Sequence, residues 1–220
     1  MNIIYVLEEK HTTMSHVPTI KEKIKAAYPK LKEKYGYKNV MQAPNVEKVV
    51  VSVGTGKQSR NDKKRNEFIA SRLAIITGQK PSARQAKQSI ASFKLREGEV
   101  IGQMVTLRGA RMQGFLDKLI NIAVPRTKDF RGFSARSIDA MGNFTMGIKE
   151  HTIFPETADE ELKDVFGLAI SIVLTTKVKQ ESVDFLELLG FPFRENAEEG
   201  TKRGRARATK GKTGGAKKKK

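Results

Sequence analysis

The sequence predicts an α+β fold: an antiparallel sheet with helices on one face, a ferredoxin-like, RNA-recognition-type core, and an open opposite face. Three observations predict it. Segments with a period-2 apolar pattern interleave with segments of helical spacing along most of the chain. A strand–helix–strand–strand–helix–strand order of this kind recurs in ferredoxin-like domains. The 42 Lys and Arg against 24 Asp and Glu, a net charge of +18, call for a polyanionic partner.

The elements follow in order. Thr19 and Glu22 have capping-box spacing and precede Ile20, Ile24, Ala27, Leu31 and Tyr35 at helical intervals. Pro29 is expected to kink or split that helix. Val46 to Val53 reads as a strand with Val49, Val51 and Val53 on one face and Lys48, Val50 and Ser52 on the other. Asn61 can cap a helix carrying Phe68, Ile69, Leu73 and Ile76, which Gly78 and Pro81 end.

Val100 to Arg108 is a second strand. Ile101, Gln103, Val105 and Leu107 share one face, and Met104, Thr106 and Arg108 share the other. Met112, Phe115, Leu116, Leu119 and Ala123 mark a helix that Pro125 is expected to stop. Phe144, Met146 and Ile148 alternate in a third strand. Leu168 to Thr176 forms a fourth, and Val183 to Leu189 the last helix. Asp159, Glu160 and Glu161 suit the first turn of a helix, where acids favour the dipole.

Composition excludes several classes. With no cysteine there is no disulfide, thiolate zinc site or Cys nucleophile, which fits a reducing cytoplasm. The longest clean apolar stretch, Leu168 to Leu174, is far below the ~18 residues a bilayer span needs, so no membrane partner is expected. GTGK at Gly54 to Lys57 lacks the first glycine of a phosphate loop, since Val51 stands there, and Gln58 replaces its Ser or Thr. His11, His16 and His151 have no metal-binding spacing, and His151 beside Glu150 reads as structural or solvent-facing. The chain is therefore expected to be no enzyme, with no cofactor, metal or small-molecule substrate.

The candidate sites are basic. Lys48, Ser52, Thr106 and Arg108 fall on the free side of the sheet, where short hydroxyls and cations can meet phosphates, 2′-hydroxyls and base edges. The residues alone leave open an ordinary solvated face. Two segments interleave cations with aromatics. In Gly78 to Gly98, Lys80, Arg84, Lys87, Lys94 and Arg96 surround Phe93, which is expected to be exposed. In Pro125 to Ser137, Arg126, Lys128, Arg131 and Arg136 surround Phe130 and Phe133, which are expected to be buried anchors. Residues 201–220 hold ten Lys or Arg and no acid, leaving +8 on the remainder. The tail reads as disordered on its own, either solubilising or contacting RNA.

Several long stretches then carry a resemblance. VMQAPNVEKVVVSVGTG, ITGQKPSARQAKQSIASFKLREGEVIGQMVTLRG, INIAVPRTKDFRGFSARSID, GNFTMGIKEHTIFPE and the closing FPFR, in this order, resemble the bacterial form of the large-subunit ribosomal protein five family. The resemblance implies a protein of the central protuberance that binds 5S rRNA. It also implies contact with 23S rRNA, with P-site tRNA, and with protein thirteen of the small-subunit head through an intersubunit bridge. In that family an Asn late in the first strand, the Gln of GQKP and the Thr of VTLRG hydrogen-bond to 5S rRNA. Gln79 and Thr106 match, and the shorter Ser52 stands where the Asn is expected. The 5S rRNA set is thus Lys48, Ser52, Gln79, Lys80, Thr106 and Arg108. Lys87, Gln88, Ser89, Phe93, Lys94 and Arg96 form the loop expected at the tRNA, and Arg126, Lys128, Arg131 and Arg136 a further rRNA contact.

The expected organisation is an N-terminal extension at 1–16, an RNA-binding body at 17–194 and a basic tail at 195–220. MSHVPTIKEK from Met14 resembles an ordinary start for this family. The first thirteen residues then read as a mis-assigned start or a lineage-specific addition.

Overall fold

A computed structural model of the chain describes residues 18–56, 63–128, 130–157 and 165–194. The expected cap Asn61, the acids Asp159 to Glu161, Lys57 and Gln58 of GTGK, and both chain ends lie outside the described residues.

The architecture is a five-stranded antiparallel sheet with helices on one face. Helix α1 (Ile20–Tyr35) leads into β1 (Val46–Gly54), then α2 (Lys63–Thr77), β2 (Ser82–Gln85) and β3 (Val100–Leu107). Helix α3 (Gly109–Lys118) continues through a π-helical turn, Leu119–Ala123, into a single α turn, α4 (Val124–Arg126). Strands β4 (Phe144–Ile148) and β5 (Leu168–Leu174) and helix α5 (Lys179–Leu189) complete it. The sheet order is β2-β3-β1-β5-β4, and all neighbours run antiparallel. The β2-β3-β1-β5 part is the order of a ferredoxin-like sheet, and β4 adds a strand at the β5 edge.

The core lies between one sheet face and the helices. Val49, Val51, Val53, Val105, Leu107, Ile170, Ile172, Phe144 and Met146 are buried from the sheet. Ala27, Leu31, Ile69, Leu73, Phe115, Leu116, Phe185 and Leu189 meet them from the helices. At the start of β1 a bulge places two residues opposite one between Val46 and Lys48. It keeps Val46 buried and turns Lys48 toward the other face.

Local chemistry explains the helix ends. The capping box at Thr19 and Glu22 is formed, with Thr19 N–H donating to Glu22 Oε2 at 3.0 Å. Ile20 N–H donates to Asp117 Oδ1 on α3 at 2.7 Å, so the start of α1 is tied to a neighbour 97 residues away. At its far end Lys34 and Tyr35 both donate to Asp184 of α5. Burial pulls the Asp184 carboxyl upward, but the hydrogen bonds from Lys34 and Tyr35, the Lys34 charge and a hydrogen bond from Gln180 together hold it below the usual range.

Three expectations are corrected. Helix α1 is not split at Pro29 but runs through it as one continuous element. Pro29 is exposed, so the carbonyl it fails to bond can be hydrated, while Ala27 and Leu31 on the other side stay packed. Pro125 does not stop its helix but sits in the final turn. The preceding π turn, in which Val124 N–H donates to Leu119 five residues back, absorbs the register change. Strand β2 is an addition to the expected set, because all four of its residues are exposed and carry no alternation.

His151 is fully buried and structural. Its ring stacks on Phe166 at 4.0 Å, and its Nδ1 accepts the Phe166 N–H at 3.3 Å.

Glycines test the packing. Gly142 has φ +80°, and a Cβ there would lie 2.6 Å from Ser182 Oγ and 2.8 Å from the Thr176 carbonyl. Gly142→Ala is expected to destabilise the fold by about 2 kcal/mol or more. Gly147 lies within β4 with nothing within 4 Å of such a Cβ, and Gly147→Ala should be neutral or stabilise by up to about 1 kcal/mol. Urea unfolding of the two variants measures the contrast. Equal stabilities would show that the turn at Gly142 yields.

Candidate nucleic-acid interface

The sheet face opposite the core is built from short side chains. Its rows run across the strands by register. Thr106 pairs with Val50, Val50 with Ser171, and Ser171 with Thr145. In the next row Ser82 pairs with Met104, Met104 with Ser52, Ser52 with Ala169, and Ala169 with Gly147. Lys48, Ser52 and Thr106 are each partly exposed here. The result is a shallow surface edged by longer basic groups.

The cations gather at one end of this face. Lys48 pairs with Val173 and lies 3.5 Å from Glu47, a mostly solvated contact worth little in stability. Arg108 follows β3 with extended backbone and an exposed side chain. Because Ser82 pairs with Met104, the residues before it, Gln79 and Lys80, run toward the Thr106–Arg108 end of β3. The Thr77 hydroxyl, whose one proton has the Leu73 carbonyl at 2.7 Å and the Gln79 carbonyl at 3.1 Å, holds the chain close as it leaves α2. The fold therefore gathers Gln79, Lys80, Thr106, Arg108 and Lys48 around one end of the open face, with Ser52 a row further along.

Arg84 is not among the residues expected at the sheet site, yet it lies on this face. It pairs with Gly102, and its Nη2 donates to Met104 Sδ at 3.6 Å. Ser171 and Thr145, with hydroxyls 3.1 Å apart, extend the face on the other side. Only a cross-strand register shows these neighbours.

A second feature rises from the β2–β3 connection. Ala86 N–H donates to the Glu99 carbonyl and Gly98 N–H to the Ala86 carbonyl, which closes the base. Ile90 and Leu95 exchange two backbone hydrogen bonds at 3.0 and 3.1 Å further out. Between them a 3₁₀ turn, Ala91–Phe93, ends at Lys94 with φ +50°. Lys87, Gln88, Ser89, Lys94 and Arg96 are exposed, and Phe93 is 63% exposed, as its small polar surroundings suggest. Ser89 has a structural task as well, since its Oγ accepts the Glu97 N–H at 2.9 Å.

The third group lies on the segment after α4. Arg126, Lys128, Arg131 and Arg136 are exposed. Phe130 and Phe133 are partly buried against the core, as expected of anchors. The Phe133 ring meets Phe130 at 4.9 Å and Phe144 at 5.3 Å.

Enzyme-like features dissolve in the same geometry. The N–H groups of Thr55 and Gly56 both donate to the Ile101 carbonyl, so they are spent on the sheet and not on a phosphate. Among the described residues no cluster of His, Asp and Glu could hold a metal ion.

Comparison with known proteins agrees with this picture along most of the chain. Residues 39–96 match the family model described as Ribosomal protein L5, and residues 100–193 match the model for the C-terminus of the same ribosomal family. A large ribosomal subunit protein uL5 of Thermoanaerobacter sp. (strain X514) is 50% identical over 169 residues, covering 77% of this chain and 94% of the relative. The protein of the same name from Desulforamulus reducens is 48% identical over 165 residues, covering 75% and 91%. That of Acaryochloris marina is 48% identical over 170 residues, covering 77% and 93%.

The Ser89 contact makes the protruding loop testable by itself. Ser89→Ala removes the acceptor for Glu97 N–H, so amide exchange at Glu97 should speed up severalfold, in line with a local cost of about 1 kcal/mol. Exchange at buried Val105 should not change. An unaltered Glu97 amide would mean that the loop holds its shape without this bond.

Proposed function

Because the chain belongs to the ribosomal protein L5 family, we propose that its open sheet face binds 5S rRNA and helps attach that RNA to the central protuberance. At the coarser level the chain is a large-subunit ribosomal protein, ribosome-bound in the cytoplasm, and structural rather than enzymatic. The finer reading rests on one observation above all. Gln79, Lys80, Thr106, Arg108 and Lys48 come from three separate stretches of chain, and the sheet brings them to one end of one shallow face.

That surface suits RNA physically. The minor groove of an A-form duplex is wide and shallow and displays 2′-hydroxyls, so short side chains can approach where long ones would collide. Ser52 and Thr106 supply hydroxyls within the face, and Gln79 supplies an amide at its end. Lys48, Lys80 and Arg108 neutralise phosphates along the edge, which supplies affinity without reading sequence. The serine at position 52 reaches less far than the family's asparagine, so that contact is shorter or bridged by water.

The other basic groups take the other partners. We assign the loop bearing Lys87, Gln88, Ser89, Phe93, Lys94 and Arg96 to the P-site tRNA. It projects from the sheet, offers cations for a backbone, and exposes one ring that can stack on a base. Arg126, Lys128, Arg131 and Arg136 are assigned to 23S rRNA. The body, 17–194, carries these sites, and the basic tail, 195–220, adds phosphate contacts. Contact with protein thirteen of the small-subunit head is part of the same proposal, on the strength of the family resemblance alone.

Two tests separate the sites. Thr106→Ala and Gln79→Ala should each weaken 5S rRNA binding by about 1–3 kcal/mol in filter binding, with melting temperature unchanged. Ser52→Asn should bind equally or better. Equal affinity of the unaltered protein for 5S rRNA and a random RNA of the same length would overturn the specific claim. Removing Gln88 to Ser92 should leave 5S binding intact and lower tRNA retention in the P site. The reverse pattern would move this loop to the rRNA site.

A further inference from the structure

The end of the body does something that its sequence does not announce. After α5 the chain turns back and runs beside the basic segment that follows α4. Phe133 N–H donates to the Pro192 carbonyl at 2.8 Å, and Arg194 N–H donates to the Phe133 carbonyl at 2.9 Å. Phe133 and Phe193 thus form a parallel bridge between segments about sixty residues apart. Arg194 Nε adds a forked bond to two successive carbonyls, those of Arg131 at 2.7 Å and Gly132 at 2.9 Å.

Packing locks the same junction. The Phe193 ring meets Phe144 at 5.6 Å and Phe133 at 6.4 Å. Gly132 has φ +85°, and a Cβ there would lie 3.1 Å from Arg194 Cγ and 3.2 Å from the Pro192 carbonyl. A side chain at Gly132 therefore meets both strain and the strap. Exposed Arg126, at the end of α4, and Lys128 lead into this junction, which bears exposed Arg131, and among the described residues no extended strand lies between α4 and β4.

We propose that Phe193 and Arg194 are positioning residues for a phosphate-binding loop. The strap holds Arg126, Lys128 and Arg131 in the arrangement that grips an RNA backbone, and Arg194 itself does not touch RNA. This rests on reading that loop as an rRNA contact. The physical gain is pre-organisation: a loop ordered before binding loses less conformational freedom when phosphates arrive. Arginine suits the task because its Nε–H, part of the rigid guanidinium plane, sits at the fourth side-chain position beyond Cα and bifurcates between both carbonyls, where lysine has only a methylene and no donor.

The test uses the full chain and rRNA extracted from large subunits, in filter binding across a salt series. Replacing Arg126, Lys128 and Arg131 together by Gln should weaken binding about tenfold and flatten the salt slope by roughly two. Arg194→Ala and Gly132→Ala perturb the junction from opposite sides. Each should reproduce at least half of that loss on a logarithmic scale, and neither should add to the triple variant. Arg194→Lys should behave like Arg194→Ala. Unchanged melting temperature of the triple and Arg194 variants, and unchanged amide exchange at Leu107 in all of them, confirm an intact body; Gly132→Ala, strained by its positive φ, should melt lower yet stay folded at the assay temperature. Wild-type binding by both Arg194→Ala and Gly132→Ala would overturn the strap. A full further loss from Arg194→Ala in the triple variant, or rescue by Arg194→Lys, would show that Arg194 holds phosphate directly. Wild-type binding by the triple variant would remove the loop from the rRNA surface, and the proposal with it, while leaving the sheet-face site untouched.

Discussion

Strand β1 is hydrogen-bonded on both edges, to β3 and to β5, and the orientation of the sheet depends on its alternation. Val49, Val51 and Val53 must be buried, and a one-residue slip would carry all three to solvent. Burying a valine side chain stabilises by roughly 1.5–3 kcal/mol, so three of them set the register firmly. Once β1 is fixed, every paired residue on either side is assigned a face. Ser52, Thr106 and Ser171 become neighbours on the open side because the valines between them are committed to the core. The proposed interface is thus a consequence of the packing on the other face.

The open side and the protruding loop divide the chemistry. The sheet offers a shallow and well-ordered surface whose polar groups are short. The β2–β3 connection offers length, exposed charge and one exposed ring, and it keeps its shape through its own backbone bonds. Rigid placement favours contacts that read shape, whereas an extended basic loop favours contacts that tolerate any sequence. Individual Lys–phosphate contacts are weak and screened by salt. On the proposed function, affinity comes from many of them being placed together before RNA arrives.

Long-range ties supply that placement. Asp117 accepts from the first turn of α1, Asp184 receives Lys34 and Tyr35 from its last turn, and Lys118 donates to the Ile76 carbonyl at the end of α2. The strap at Pro192 to Arg194 is the counterpart for the basic segment that follows α4. In each case a polar group at the end of one element satisfies an element distant in sequence, so the helix layer and the loops keep fixed positions relative to the sheet.

How much of this is legible in the sequence follows from the physics of each signal. Four strands, four helices and the capping box at Thr19 are readable because period and cap chemistry are local. The faces of β1 and β3 are readable for the same reason, and so are exposed Phe93 and the anchored Phe130 and Phe133. Strand β2 is hidden because an edge strand exposed at all four residues has no alternation to display. Pro29 and Pro125 act otherwise than their propensity suggests, because propensity yields to packing and to a π turn. The sequence by itself determined which residues alternate, where the charge lies, and which family the motifs resemble. Only the tertiary structure decided that Gln79 and Arg84 border the same face as Ser52, and that Arg194 braces a loop about sixty residues upstream. Pairing register and backbone bonds between distant segments depend on the whole packed core, and no local window of residues contains them.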